Sequence, residues 1–198
     1  MPTPRKPKNQ LFTPNEAAVL TRMPLKAVQN AIDRKTVIAV TGQRSGHSTR
    51  LLDIHALLAL ALEKRLINCF TPELRREVFD ALKNVRGSVV TAYGGLVKVD
   101  LKKPRKELAS SMRDLRRARE LIHSDPGIKG GDPVFRGTRI QVHMIVELIQ
   151  KGSPEQELLE DYPRMTPEML KLAPVYANAY PHHGRPRVQP WHANPPIY

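Results

Sequence analysis

The sequence predicts a mainly α-helical chain. An N-terminal winged helix-turn-helix with a small β-hairpin wing comes first, then a small C-terminal three-helix bundle, then an extended C-terminal tail. Three observations predict this. Helix starts recur as a Ser or Thr cap followed by Pro at the first helical position: Thr13-Pro14-Asn15-Glu16, Thr71-Pro72-Glu73, Ser153-Pro154-Glu155 and Thr166-Pro167-Glu168. Between these starts, apolar side chains return at helical spacing. The few β-type runs are short and separated by polar or Gly-containing turns.

The composition narrows the function classes. At 198 residues the chain holds one or two small domains. An aromatic share of 5% against 40% hydrophobic residues predicts cores of Leu, Ile, Val and Ala. Residues 1–123 carry 24 Lys+Arg against 11 Asp+Glu, whereas residues 124–198 carry 8 against 8, so the net charge of +13 lies wholly in the first part. A basic part joined to a neutral part suggests two tasks, with nucleic acid the leading partner of the basic one; a solvated basic surface is the alternative. The lone Cys69 cannot form an internal disulfide. No apolar run reaches the length of a bilayer, and residues 1–6 lack a signal-type apolar segment. These points predict a cytoplasmic protein with no membrane partner.

Residues 1–11 read as a flexible basic arm. Thr13 caps a first helix through Leu20, with Glu16 completing a capping box. A tight connection at Thr21-Arg22-Met23 leads to a second helix opened by Pro24 and ending near Asp33. Leu25, Val28 and Ile32 are expected to point inward. Lys26, Gln29, Asn30 and Asp33 fall on the opposite face, and Lys, Gln and Asn can read base edges in a major groove; an ordinary amphipathic surface helix is the alternative. Residues 37–40 are an expected strand, 41–48 a polar loop, and 49–52 the return strand, with Asp53 capping a helix over 53–68. That arrangement is a wing, with Arg44, His47 and Arg50 suited to phosphates or a minor groove. Helix 53–68 is apolar on more than one face and is expected to be buried or shared with a second subunit. A further helix runs from Thr71 to about Asn84, and residues 89–92 and 96–101 form an expected hairpin.

Over residues 12–62 this pattern, with Thr13-Pro14-Asn15-Glu16-Ala17-Ala18 at its start, resembles the MerR-like winged-helix domain. The resemblance implies DNA binding by the second helix and the wing, usually as a dimer. The candidate DNA-binding set is Arg22, Lys26, Gln29, Asn30, Arg34, Lys35, Arg44, His47 and Arg50.

Residues 102–106 read as a basic hinge ahead of a helix reaching Ile122. Leu108, Met112, Leu115 and Ala118 lie on one side of it. Arg113, Arg116, Arg117 and Arg119 lie on the others, either as a solvated face or as extra phosphate contacts. The divisions expected are thus 12–85 for the winged-helix domain, 86–122 for a connector, 123–181 for the C-terminal domain and 182–198 for the tail.

The C-terminal part opens on Gly130-Gly131-Asp132-Pro133-Val134-Phe135-Arg136-Gly137-Thr138-Arg139-Ile140. A helix over 142–150 follows, with Gly152 as its C-cap, then a helix from Ser153 to Asp161 and a last one from Thr166 to about Tyr180. Three helices of this length and spacing suggest a small homeodomain-like bundle. With Asp161-Tyr162-Pro163, the run resembles the family filed as domain of unknown function 433, whose characterised members include VapB-type antitoxins. Phe135, where that family more often has a smaller aliphatic residue, and segment 171–174, read as a loop with Pro174, depart from it.

The resemblance implies an antitoxin of a type II toxin-antitoxin pair. It implies a homodimer that represses its own operon by binding operator DNA and that blocks a PIN-like ribonuclease toxin, within a larger assembly where both partners are present. The toxin-binding set it implies is Tyr162, Tyr176 and Tyr180, with Arg185, Arg187 and Trp191 of the Pro-rich tail. Arg185 and Arg187 would compete with a metal ion for the toxin's acidic site. Arg136 and Arg139 are expected to stabilise their turn. A DNA-binding regulator with a sensor or protein-interaction domain and no toxin is the other reading.

Catalytic constellations are missing from the sequence. Cys69 is expected to be inert packing, His182-His183 is a weak metal signal, and Gly130-Gly131 lacks the P-loop lysine. No catalytic residue, metal or cofactor is expected.

Overall fold

The computed structural model describes residues 10–44, 47–85 and 87–181. Most of the expected basic arm, the wing tip and the whole expected tail, with Arg185, Arg187 and Trp191, lie outside the described residues.

The chain is mainly helical with small hairpins. Helices α1 (Pro14–Thr21) and α2 (Leu25–Asp33) are joined by a three-residue turn. Thr13 caps α1 through the expected capping box, its Oγ1 accepting from Glu16 N at 3.2 Å while Glu16 Oε2 accepts from Thr13 N at 2.8 Å. Strands β1 (Val40–Arg44) and β2 (His47–Leu51) pair antiparallel, with Val40 opposite Leu51 and Arg44 opposite His47. The expected strand positions are corrected here. Val37 is a core residue, and pairing runs instead through the polar residues expected to form a loop. An exposed two-stranded ribbon needs no apolar alternation, so its sequence carried no strand period.

Helix α3 (Ile54–Leu66) starts at Asp53, whose carboxylate accepts from Ala56 N at 2.8 Å. Its buried Leu57, Leu58, Leu60 and Leu62 are covered by α1, by α4 (Pro72–Leu82) and by α5 (Lys102–Leu121), all within this chain. Cys69, expected to be packed, is exposed at the turn between α3 and α4. Strands β3 (Val89–Ala92) and β4 (Val97–Asp100) form the expected hairpin, which packs on α4 through Val90 and Ala92. The expected basic hinge at 102–106 is the first turn of α5, with Pro104 buried. Leu25, expected to point inward, is 38% exposed because it opens α2 at the rim of a cleft.

Two apolar cores result. The first gathers α1 to α5 and the β3–β4 hairpin around Phe12, Leu20, Val28, Leu57, Leu60 and Leu115. The second gathers β5 (Ile122–His123), β6 (Val134–Phe135), α6 (Val142–Gln150), α7 (Glu155–Asp161) and α8 (Pro167–Ala179) around Phe135, Val142, Ile145, Leu158 and Leu170. Segment 171–174 is helical, correcting the expected loop, and α8 continues through Pro174. Pro154, and not Ser153, is the N-cap of α7, which has no side-chain cap.

Helices α5 and α8 join the cores. Leu108 and Leu115 of α5 lie in the first core and Ile122 just beyond it lies in the second. Ala173 and Ala177 of α8 face the second core, whereas Val175, Ala179 and the following Tyr180 pack on the first.

Candidate functional site

The exposed face of α2 is where the side chains expected to contact bases come together. At about 100° per residue, Lys26, Gln29, Asn30 and Asp33 fall within an arc of roughly 100°. Val28 and Ile32, buried on the other side, fix that orientation against the first core. Lys26 is exposed, and Gln29 and Asn30 are half-buried. The α1–α2 turn is tight because Arg22 adopts a left-handed conformation at φ 54° and its N–H returns to α1. Its side chain is exposed beside the start of α2. Arg34 caps the other end, and Lys35 follows at φ 56°; both are exposed.

Arg50, expected as a phosphate contact, is engaged within the chain. Its guanidinium meets Asp33 at 2.5 Å, tying β2 to the end of α2. The pair links the hairpin to the candidate reading helix and holds the carboxylate of that face against a cation. Arg44 and His47 pair across the ribbon near its tip, where their backbones are opposite each other.

The Gly130-to-Ile140 run forms an internal clamp. Lys129, Gly130 and Gly131 all take positive φ, at 51°, 69° and 89°. No atom stands within 4 Å of a Cβ built on Gly130, so the demand there is conformational and not steric. The turn brings β6 onto β5, with Phe135 opposite Ile122. Thr138 Oγ1 donates to Phe135 O at 2.8 Å and accepts from Ile140 N at 3.1 Å, and Gln141 Nε2 donates to Asp132 Oδ2 at 2.6 Å. Arg136 donates from Nε to Glu120 O at 3.0 Å and from its backbone N to Leu121 O at 2.8 Å. These are carbonyls at the end of α5, which have no partner inside the helix. Arg136 thus ties its strand to the end of α5 and makes no side-chain bond within its own turn among the described residues, while Arg139 is exposed.

A buried polar network, not anticipated as such, ties the last helix to the first. Glu16 is 2% exposed. Its Oε1 accepts from Arg119 Nη2 of α5 at 2.6 Å and from the Tyr180 hydroxyl at 2.7 Å, and Arg119 Nε donates to that hydroxyl at 2.5 Å. Burial, with the adjoining Glu16 carboxylate, holds the Tyr180 hydroxyl well above the ordinary tyrosine range. Tyr176 packs against Tyr180 with ring centroids 4.9 Å apart, and burial raises its pKa too. Of the three tyrosines expected at a protein interface, Tyr180 therefore lies in an internal network, Tyr176 is half-buried beside it, and Tyr162 packs on the second core. Outside the network, Arg117 of α5 clasps Glu168 of α8 through two bonds of 2.9 Å, which hold the Glu168 carboxyl below its usual range.

A cleft of about 740 Å³ lies between the α1–α2 turn and the α5–α8 pair, lined by Arg22, Met23, Leu25, Asp114, Val175 and Asn178 among others. Among the described residues, no group of three or more His, Cys, Asp or Glu is placed to hold a metal ion, and no helix is long and apolar enough to cross a membrane.

Residues 122–177 match the family described as "Protein of unknown function (DUF433)". Through this segment the chain belongs to the DUF433 family. A crystal structure of a DUF433 member protein from Anabaena variabilis is 33% identical, covers 39% of this chain and 77% of its own, and superposes with a TM-score of 0.30. The Sinorhizobium fredii protein designated "Uncharacterized protein y4eO" is 28% identical over 189 residues, 90% of this chain and 86% of that one. The crystal structure of Rv2018 from Mycobacterium tuberculosis is 16% identical, with 82% of this chain and 95% of that one covered and a TM-score of 0.29.

Proposed function

We propose that this chain binds double-stranded DNA through a winged helix-turn-helix formed by α1, α2 and the β1–β2 hairpin, and that it is the antitoxin of a type II pair. The observation that carries the DNA half is the exposed face of α2. Lys26, Gln29 and Asn30 stand together there, in a chain whose whole excess of positive charge lies in residues 1–123. Side chains of these types make the hydrogen bonds that distinguish bases in a major groove. Arg22, Arg34 and Lys35 flank that face and suit phosphates, which position a protein without specifying sequence.

The antitoxin half rests on the resemblance of the Gly130-to-Ile140 run, with Asp161-Tyr162-Pro163, to the DUF433 family, whose characterised members include VapB-type antitoxins. In this reading the C-terminal domain and residues 182–198, with Arg185, Arg187 and Trp191, hold a PIN-like ribonuclease and block its acidic centre. Tyr162 is the tyrosine of the set left outside the Tyr176–Tyr180 stack. A homodimer bound to its own operator would then repress the operon.

The test has two arms. Replacing Lys26, Gln29 and Asn30 by Ala is expected to abolish preference for the operator over mixed-sequence DNA, at about 1–3 kcal/mol per lost base contact; unchanged operator preference would remove α2 as the reader. Co-expression with the ribonuclease is expected to yield a stable complex, and truncation after Pro181 to restore ribonuclease activity.

One observation favours a second reading, a DNA-binding regulator with a sensing domain and no toxin. The 740 Å³ cleft sits where the C-terminal domain meets the α1–α2 turn, the kind of junction at which small ligands bind.

A further inference from the structure

The charge of α5 is not accounted for by its packing. The helix carries eight Lys+Arg and three Asp+Glu. Three of its cations have structural roles: Arg117 holds Glu168, Arg119 holds Glu16, and Arg105 donates to Gly87 O at 2.6 Å. Lys102, Lys103, Lys106, Arg113 and Arg116 remain. All five are exposed, and none makes a side-chain ion pair among the described residues.

These five lie along one side of the helix, opposite the buried Leu108, Ser111, Leu115 and Ala118. At 1.5 Å per residue the row is about 20 Å long. Its first three cations stand in the first two turns of α5, whose first turn holds no acidic residue, the carboxylate at this end being that of Asp100, which accepts from Lys102 N at 2.8 Å. Cations there oppose the helix dipole, so this placement does not serve helix stability.

The N-terminal half of α5 lies near the α1–α2 turn. One cleft of about 350 Å³ is lined by Arg22 of the α1–α2 turn, by Lys64 and Arg65 at the end of α3, and by Glu107 of α5. Arg65 meets Glu107 at 2.6 Å, and the carboxyl of Glu107, held low first by Arg65, also feels Lys103 and Arg22. Arg22, Arg65 and Lys103 therefore act on one carboxylate where the α1–α2 turn approaches α5.

We infer that the outer row of α5 is a second phosphate-contact surface, which grips the backbone of the same DNA duplex beyond the stretch read by α2. The inference rests on the DNA-binding reading above. Exposed cations without base-reading partners, three near the start of the helix and two further along it, suit this role: phosphates supply affinity and register, not sequence information. The surface adds affinity and salt dependence and leaves sequence preference to α2.

The test measures binding of the full chain to a fluorescein-labelled mixed-sequence duplex of about 30 base pairs across about 50–200 mM salt. The variant Lys102→Gln/Lys106→Gln/Arg113→Gln/Arg116→Gln is expected to bind roughly tenfold or more weakly, with a slope of log K against log salt shallower by about 3 to 4. A matched variant in the DUF433 half, Lys129→Gln/Arg139→Gln/Lys151→Gln/Lys171→Gln, is expected to keep the wild-type slope. A circular dichroism melt confirms that both fold. An unchanged slope in the α5 variant, or an equal loss in both variants, would overturn the inference. A wild-type chain that binds no duplex at low salt would sink the DNA-binding reading itself.

Discussion

The two halves of this chain differ in how their polar residues are used. In residues 122–177, where motifs are dense, Asp132, Arg136, Thr138 and Gln141 all bond within the chain and hold β6 and the end of α5 in place. That segment carries six Lys+Arg against eight Asp+Glu. In the first 123 residues no motif is as specific, yet Arg22, Lys26, Arg34, Lys35 and the α5 row face solvent and make no ion pair among the described residues. The difference teaches that a strong family signal marks a demanding piece of backbone as readily as a site. Among the described residues, unpaired exposed cations lie in the plainer stretch as well as in the motif-rich one.

The comparison breaks first in the cores. Phe135 is fully buried in the second core and Leu57 in the first. Phe135→Ala is expected to cost about 3–5 kcal/mol and Leu57→Ala about 2–5 kcal/mol. Because α5 and α8 belong to both cores, each variant is expected to lower a single cooperative transition in denaturant. Two separated transitions would show that the halves fold independently.

A smaller effect is expected from the network between the halves. Glu16→Ala removes a cap and leaves Arg119 and Tyr180 without their buried acceptor, at a cost of about 2–4 kcal/mol. Equilibrium unfolding in urea measures it, and a loss below about 0.5 kcal/mol would mean that the network does not join the halves.

Tyr180→Phe keeps the ring and removes the hydroxyl, for a loss of about 1 kcal/mol. It also carries a pH signature. The hydroxyl titrates at an ordinary value of 10.0 when unfolded and higher when folded. Above that ordinary value the unfolded state holds fewer protons than the native one, so stability falls as pH rises. The stabilisation is fully present below the unfolded value and disappears as pH passes through the folded one. Urea titrations at neutral and alkaline pH are expected to show a shallower alkaline decline in Tyr180→Phe, with the remainder traced to Tyr176. Equal declines in both proteins would place the Tyr180 hydroxyl in water.

The smallest effect is expected at Glu168→Gln, which removes the exposed clasp with Arg117. Exposed pairs contribute little and are screened by salt. Because the Glu168 carboxyl is held below its ordinary 4.5, its contribution is present above that value and fades as pH falls through the folded one. A difference from wild type that survives high salt would argue for a larger role in docking α8.

Much of the local structure was legible in the residues. Thr13, Asp53, Thr71 and Thr166 cap helices as their hydroxyls and carboxylates demand. The β3–β4 hairpin and α6 fall where their patterns put them. The β1–β2 ribbon was misplaced because, in a strand pair with little to bury, apolar periodicity carries no register. The α5 start was read as a hinge, but Pro104 stands in the first turn of the helix, where a proline forfeits no helical hydrogen bond, and its burial joins that turn to the core. Among the candidate contacts, the face of α2 was visible from helical spacing, whereas the engagement of Arg50 by Asp33 and of Tyr180 by Glu16 was not.

Capping, spacing and charge balance act over a few residues, so the order of elements, the polar face of α2 and the uneven distribution of charge can be read directly from the chain. Closure cannot. Glu16 and Tyr180 are 164 positions apart, and nothing near either one specifies the other. Their meeting depends on how α1, α5 and α8 pack. That packing decides which arginines are engaged inside the protein and which remain free to meet a polyanion.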